Sequence, residues 1–178
     1  MKNLFDVKDQ VVVITGGTGV LGKAIALHLA EQGARVVILG RKAEVGEAIV
    51  AEIKAQGGEA MFLTTNVLDE AVLEQNLKDI LAAYGRVDAL LNAAGGNMPG
   101  ATIAPTGNFF DLKVDEFQKV LNLDRYGTSY TSVLETDGGT RQGFYRELLV
   151  HGSFPSDDSR VRVCGSQGWY FELHRLHG

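Results

Sequence analysis

Apolar and polar residues alternate in blocks over the first 128 positions of the chain. Four short apolar runs, rich in valine, isoleucine and leucine, predict strands that are buried on both faces of a sheet. Each run is followed by a longer segment whose regularly spaced apolar residues predict a helix. The alternation predicts an α/β fold, a doubly wound parallel sheet of Rossmann type with about four strands. The predicted strands occupy residues 10–15, 35–40, 60–67 and 87–96, and the predicted helices residues 23–34, 43–58, 69–85 and 114–123.

This pattern stops near Ser129. Residues 129–178 contain no alanine, isoleucine, lysine, methionine or asparagine, whereas all eight lysines of the chain lie before them. The helices of an α/β domain normally use alanine and lysine throughout. We therefore expect an incomplete α/β domain over residues 1–128 and an aberrant, poorly packed tail over residues 129–178.

Composition limits the classes of function. A length of 178 residues suits one domain, and the net charge of −5 argues against a nucleic acid or an anionic membrane as partner. No apolar run reaches the length of a membrane span, and the first residues lack the apolar core of a signal peptide. Cys164 is the only cysteine, and its spacing from His174 and His177 matches no standard metal site. We expect a cytoplasmic protein that binds a small molecule and no metal.

A glycine-rich segment, Thr15–Gly22, lies between the first predicted strand and the first predicted helix. Gly16 suits a tight turn, Gly19 lets a pyrophosphate approach the backbone, and Gly22 lets the helix pack on the strand. Backbone N–H groups and the positive end of the helix would then hold the phosphates of a dinucleotide. A glycine-rich turn without a ligand is the alternative. The cofactor-binding residues predicted here are Gly16, Thr18, Gly19, Leu21 and Gly22.

Two cations follow the second predicted strand, at the point where dinucleotide-binding folds distinguish NADP from NAD. An acidic residue there favours NAD because it binds the ribose 2′-hydroxyl, and a basic residue favours NADP. The chain has Arg41 and Lys42, with no acid before Glu44. An arginine can hold the 2′-phosphate of NADP through two hydrogen bonds. We predict NADP as cofactor, with NAD as the second choice; solvated surface charge is the alternative.

The fourth predicted strand ends in Asn92, Ala93, Ala94 and Gly95. This end lies at the edge where open α/β sheets bind their ligands. Small side chains there would let a cofactor lie against the backbone. These four residues are therefore predicted to bind the cofactor as well.

Three segments together resemble the short-chain dehydrogenase/reductase family: Thr15–Gly22, Asn66-Val67 and Asn92–Gly95. The resemblance covers residues 10–128. It implies that Asn66 and Val67 belong to the part of the site that contacts adenine. Asn66 stands where many members have an aspartate, and its side-chain oxygen can still accept that hydrogen bond.

The loop over residues 95–105 is similar to that of the sugar-acid branch of the family, the D-mannonate oxidoreductase or fructuronate reductase type. This resemblance implies hydride transfer between NAD(P) and a sugar acid such as fructuronate or D-mannonate. Intact members of the family usually assemble as tetramers, so a homo-oligomer is expected of intact relatives.

The residues that the family uses for catalysis are missing. The resemblance implies a tyrosine as general acid and base, a lysine four residues later that lowers the pKa of the tyrosine, and a serine 13 residues before it. None of the five tyrosines is followed by a lysine at that interval, and Asp124 occupies the position of a supporting asparagine. No catalytic residue is therefore assigned, and the chain is expected to be inactive as it stands.

The genetic code suggests a reason for the break. Synonymous codons for residues 135–160 and 162–172, taken one nucleotide later, permit strings typical of the family. They include a serine at codon 150, a tyrosine at codon 163 and a lysine at codon 167, at the intervals that the family requires. We infer a one-nucleotide slip shortly after Thr128, either in the gene or in the recorded sequence. An authentic divergent tail is the alternative.

Three functional hypotheses follow from the sequence. The first is an oxidoreductase by ancestry that lacks its catalytic set. The second is a noncatalytic dinucleotide-binding fragment, which saturable cofactor binding without turnover would support. The third is a nonfunctional gene remnant, which a lack of cooperative unfolding would support.

Overall fold

The computed structural model describes residues 6–103 and 108–126 together with three short strands further along the chain. Its main sheet has five parallel strands in the order β3-β2-β1-β4-β5. The strands are β1 (Val11–Thr15), β2 (Arg35–Gly40), β3 (Glu59–Thr64), β4 (Ala89–Asn92) and β5 (Arg146–Leu149). The helices are α1 (Val20–Glu31), α2 (Ala43–Ala55), α3 (Glu70–Tyr84) and α4 (Val114–Leu121).

Both faces of the sheet are apolar because helices cover both. In β1, Val12 and Ile14 pack in a cluster with residues of α1 and α2, and Val11 and Val13 pack in a second cluster with residues of α3. All four side chains are at most 5% exposed. Burying one such side chain contributes about 1.5–3 kcal/mol. This two-sided burial explains why the strands read as unbroken apolar runs.

Four of the five strands lie where the sequence predicts them, which confirms the α/β fold of Rossmann type. The bounds differ at the loops that follow β3 and β4. The third strand ends at Thr64 and the fourth at Asn92, several residues earlier than predicted. Helix α1 begins at Val20, earlier than predicted, because the helix starts immediately after the glycine turn.

The C-terminal segment contributes strands that the sequence did not predict. Strand β5 joins the main sheet beside β4, and β6 (Arg160–Cys164) pairs antiparallel with β7 (Tyr170–His174). Each is only four or five residues long and carries charged or histidine residues, so none forms an apolar run. The expected poor packing of residues 129–178 concerns side chains outside the described residues. It stays a prediction, as does the domain boundary at residue 128.

Two negative observations apply to the described ranges alone. No helix in them has both the length and the apolar character needed to cross a membrane. No three of their His, Cys, Asp or Glu side chains are grouped so that they could hold a metal ion.

Candidate functional site

The turn between β1 and α1 lies directly against the end of β4. Gly16 has a φ of +66°, a left-handed conformation that favours glycine. A Cβ atom on Gly16 would lie 2.5 Å from the carbonyl oxygen of Ala93, and one on Gly22 would clash with the oxygen of Gly16. Both glycines are therefore needed for close packing of turn, strand and helix, as the sequence predicts for a dinucleotide-binding turn.

The hydroxyl of Thr15 joins this turn to the segment after β4. Thr15 Oγ1 accepts hydrogen bonds from the backbone nitrogens of Ala93 and Ala94, each at 3.1 Å. It also lies 3.5 Å from Oδ1 of Asn92. Thr15 and Asn92 are 1% and 5% exposed, so these contacts are shielded from water. The sequence placed Thr15 in the motif but gave no role to its hydroxyl.

The start of α1 has the properties of a phosphate site. Its N-cap, Gly19, has no side chain to accept from the first N–H groups, and the first turn contains no acidic residue. A Cβ atom on Gly19 would have one near neighbour, the oxygen of Gly16 at 3.2 Å. Val20 and Leu21 are 90% and 52% exposed. Among the described residues nothing covers the helix start, and its first N–H groups together with the positive helix end suit an anion.

The end of β2 adjoins the same turn. The backbone nitrogen of Gly17 donates to the oxygen of Leu39 at 3.2 Å. A Cβ atom on Gly40 would lie 2.7 Å from the side chain of Thr18, so Thr18 rests on this glycine. Arg41 and Lys42 come next, both exposed, and neither forms an ion pair within the described residues. Two cations thus stand at the strand end where the sequence expects the 2′-phosphate.

Directly after β3, the buried polar pair Thr65 and Asn76 lies next to Asn66 and Val67, the residues predicted to contact adenine. Thr65 donates to the oxygen of Leu63 at 2.9 Å and accepts from the amide nitrogen of Asn76 at 2.7 Å. The exposed Asn66 uses its side-chain oxygen to accept from the nitrogen of Leu68 at 3.2 Å. An amide oxygen has two lone pairs, so a second hydrogen bond to Asn66 remains available.

Two residues near Asn66 complete this part of the site. Val67 is buried, at 6% exposure, and holds the segment to the core. Asn76 is a further residue of this part of the site and was not predicted from the sequence. A signal was present, because Asn76 is a polar residue on the apolar side of α3 between Leu73 and Ile80.

The segment after β4 contacts α4 and the turn that follows it. Asp124 lies in one turn of π-helix, Asn122–Tyr126, and its Oδ1 is 3.1 Å from where a Cβ of Gly95 would be. Glu116 accepts from the backbone nitrogen of Gly100 at 2.7 Å. The family resemblance drew attention to Asp124, at the position of the supporting asparagine. Glu116 was not predicted from the sequence.

The predicted site residues thus gather at the carboxyl ends of the strands. The glycine turn and the segment 92–95 meet between β1 and β4, the point where the strand order reverses. Arg41, Lys42, Asn66 and Val67 lie at the ends of β2 and β3. Codons 150 and 167, where the shifted frame permits serine and lysine, lie outside the described residues. For codon 163, which falls in β6, only the backbone is described.

A separate cavity of about 350 Å³ lies at the opposite edge of the sheet. Two of its acidic residues lie near one arginine: Arg35 is 3.3 Å from Glu59 and 4.0 Å from Asp9. Burial, followed by the charge of Glu59, raises the pKa of the neighbouring Tyr84, and Arg35 lowers it in part. This cavity lies at the amino ends of β2 and β3, and the Arg35–Glu59 pair joins these two strands.

Comparison with known proteins gives consistent matches. The family model for short chain dehydrogenases matches residues 10–136. The uncharacterized oxidoreductase UxuB of Bacillus subtilis (strain 168) is 43% identical over 148 residues, 79% of this chain and 50% of its own length. The chain spans about half the length of the curated relatives it matches.

Solved structures agree with this match. One is a protein of Haemophilus influenza, provisionally assigned as a D-mannonate oxidoreductase, with bound NAD. It is 30% identical, with a TM-score of 0.70, covering 77% of this chain and 53% of that one. A second is the F189W variant of an actinorhodin polyketide ketoreductase with NADPH. It is 26% identical, with a TM-score of 0.68, covering 79% of this chain and 52% of that one.

Proposed function

Because the chain belongs to the short-chain dehydrogenase family, we propose that it forms the dinucleotide-binding part of an NAD(P)-dependent oxidoreductase. One observation carries the proposal: the glycine turn after β1 packs on Ala93 while Thr15 holds Ala93 and Ala94. This contact builds a crevice wall at the reversal between β1 and β4, where open α/β sheets bind ligands.

Each part of a dinucleotide has suitable residues at this edge. The pyrophosphate suits the open start of α1, where a Cβ at Gly19 would intrude. The adenosine suits the ends of β2 and β3, and the nicotinamide half suits the segment after β4. When bound, the nicotinamide supplies hydride exchange with a substrate carbon. The residues proposed to hold the cofactor are Gly16, Thr18, Gly19, Leu21, Gly22, Arg41, Lys42, Asn66, Val67, Asn92, Ala93, Ala94 and Gly95.

The cofactor proposed is NADP in preference to NAD. The two related structures contain NAD in one case and NADPH in the other, so relatives allow either. Arg41 and Lys42 are exposed at the strand end that faces the adenosine ribose, and Glu44 is the first acid after them. Two cations favour a 2′-phosphate over a 2′-hydroxyl.

The substrate class proposed for the intact protein is a sugar acid such as fructuronate or D-mannonate. Support comes from the loop over residues 95–105 and from the D-mannonate assignment of the related structure. The loop residues 104–107 lie outside the described part of the chain. We further propose a cytoplasmic location and, for intact relatives, a homo-oligomer.

The 178-residue chain itself is proposed to bind cofactor without turnover. It has no tyrosine followed four residues later by lysine, and it has Asp124 at the asparagine position. Strand β5 falls within the codons that the inferred frame slip concerns. Codons 144–151 permit the string SIVNFSSM in the shifted frame, and β5 (Arg146–Leu149) lies within them, parallel to β4. In that frame the serine would stand at codon 150, one position beyond β5.

Titration tests the proposal. The purified chain is mixed with NADPH and then NADH, and binding is followed by ligand fluorescence. Gly19→Leu should abolish binding without loss of cooperative unfolding, because Gly19 has an ordinary φ and, among the described residues, a Cβ there meets only the oxygen of Gly16, at 3.2 Å. Ala82→Leu, an enlargement at an exposed position on α3, is the matched control. Failure of the parent chain to bind either dinucleotide contradicts the proposal, and non-cooperative melting favours a gene remnant.

A further inference from the structure

The segment after β4 is fixed at both ends. At its start, Thr15 Oγ1 accepts from the nitrogens of Ala93 and Ala94. At its end, Gly100 is bonded to the beginning of α4. Residues 95–99, hereafter the anchored loop, span the distance between these two attachments. An exposed loop tied at both ends keeps one shape more readily than a free one, because less conformational entropy remains to be lost.

Gly100 makes two backbone contacts with the start of α4. Its nitrogen donates to Oε2 of Glu116 at 2.7 Å, and its oxygen accepts from the nitrogen of Lys113 at 2.8 Å. A Cβ atom on Gly100 would lie 2.6 Å from the Glu116 carboxylate, so a side chain there would displace the carboxylate from this position. The ammonium of Lys113 lies 3.6 Å from the other carboxylate oxygen. The Glu116 side chain is only 22% exposed.

Glu116 does not serve its own helix in the usual way. It is the third residue of α4, and Lys113 is the N-cap. In a capping box, a glutamate at this position accepts from the N–H of the N-cap residue. Here the N–H of Lys113 goes to Gly100, and the carboxylate accepts from Gly100 in return. The capping groups of the helix are therefore used to hold the anchored loop.

The anchored loop stands on the nicotinamide side of the proposed cofactor site. The adenosine half is assigned to the ends of β2 and β3, on the other side of β1. A dinucleotide that crosses the strand reversal must therefore place its other half beside β4 and the loop that follows. Resting on the proposed function, we propose that Glu116 is a positioning residue that shapes the anchored loop to receive the nicotinamide ribose half.

Comparing the binding of two ligands tests whether Glu116 affects only the nicotinamide half of the site. NADPH has both halves, whereas 2′,5′-ADP has only the adenosine half with its 2′-phosphate. Glu116→Ala should weaken NADPH binding about tenfold, the size of one hydrogen bond to a charged acceptor. The same variant should leave 2′,5′-ADP binding unchanged. Glu116→Gln should retain most of the NADPH affinity, because its amide oxygen can still accept from Gly100.

A further variant and a structural readout complete the experiment. Glu116→Asp keeps the charge at the helix start but is too short to reach Gly100, so it should lose as much NADPH affinity as is expected of Glu116→Ala. It also provides the test of the role if the alanine variant fails to fold. Hydrogen exchange of the Gly100 amide should be slow in the parent and in Glu116→Gln and fast in Glu116→Asp. Glu74→Gln, at an exposed site on α3, is the control.

The outcomes separate two failures. Equal weakening of NADPH and 2′,5′-ADP, or no weakening of either, overturns the positioning role while the cofactor site stands. A parent chain that binds neither ligand overturns the proposed function and this inference with it. Selective loss of NADPH affinity in the aspartate variant, with retention in the glutamine variant, supports the role.

Discussion

Thr15 and Asn92 are the last residues of β1 and β4, lie opposite each other in the parallel register, and approach to 3.5 Å through their side-chain oxygens. They are 77 positions apart in the chain. The pair lies where the strand order of the sheet reverses, between β1 and β4. The segment after β4 begins at this pair and packs against the glycine turn.

Replacing Thr15 by valine should destabilise the fold. The change keeps shape but removes the acceptor for the Ala94 nitrogen, whereas the Ala93 nitrogen also bonds the backbone oxygen of Thr15 at 3.2 Å. Leaving one such group unpaired costs about 1–3 kcal/mol. Urea unfolding measures the change, with Thr64→Val, at an exposed position, as the matched control. Equal effects of the two variants would contradict the assigned role.

Gly16→Ala should be more harmful still. The left-handed φ and the contact with the Ala93 oxygen both oppose a side chain, and together they should cost about 3 kcal/mol or more. Gly96→Ala is the comparison, since a Cβ there has no neighbour within 4 Å in the described part of the chain. Thermal melting of both variants gives the answer. A Gly16→Ala protein as stable as Gly96→Ala would show that the turn is wrongly described.

The double variant Arg41→Ala/Lys42→Ala should lose affinity for NADPH by about tenfold to a hundredfold, because charge-assisted hydrogen bonds to the 2′-phosphate are removed. Affinity for NADH, which lacks that phosphate, should not change. Isothermal titration calorimetry at two salt concentrations distinguishes direct contacts with the 2′-phosphate from long-range electrostatic attraction, because salt screens the latter more strongly. Lys78→Ala, an exposed cation on α3, controls for net charge. A parallel fall in NADH affinity would refute the specificity assignment.

Restoring the frame should restore chemistry. Deletion of one nucleotide shortly after codon 128 should yield an oxidoreductase active on a sugar acid. Phenylalanine in place of the tyrosine that this frame places at codon 163 should lower turnover by about 10²–10⁴-fold. Mass spectrometry of the protein from its native gene should give 19.2 kDa if the slip is in the gene. A mass several kilodaltons larger would place the slip in the recorded sequence instead.

Stability should fall at high pH partly through Tyr84. Its pKa is raised above 10.0 by burial and then by Glu59. Below pH 10 the phenol is neutral in folded and unfolded chains alike. As the pH rises above 10 the unfolded chain releases this proton first, so stability is lost on the way to the folded pKa. Urea unfolding between about pH 8 and 11 should show a smaller loss for Tyr84→Phe than for the parent. Identical pH profiles would sink this account.

The fold was largely predictable because burial on two faces leaves a clear signature. The strand β1 and the glycines of Thr15–Gly22 could be found locally, since sterics at a tight turn restrict residue type. The contact of Glu116 with Gly100 could not, because a glutamate near a helix start has several possible partners. Strand β5 also escaped prediction: four residues of mixed polarity pair through the backbone, which no side-chain pattern records.

The distance along the chain between Thr15 and Asn92 also sets an order of assembly. Strands β1, β2 and β3 pair with near neighbours in sequence, while β4 must close a long loop to reach β1, which slows that step. In a chain that is still emerging from the ribosome, the glycine turn is therefore made before β4 and the segment after it, against which the turn packs. A ligand that binds only the docked form stabilises only that form. A dinucleotide bound as proposed would therefore stabilise only those forms of the chain in which β4 has docked beside β1.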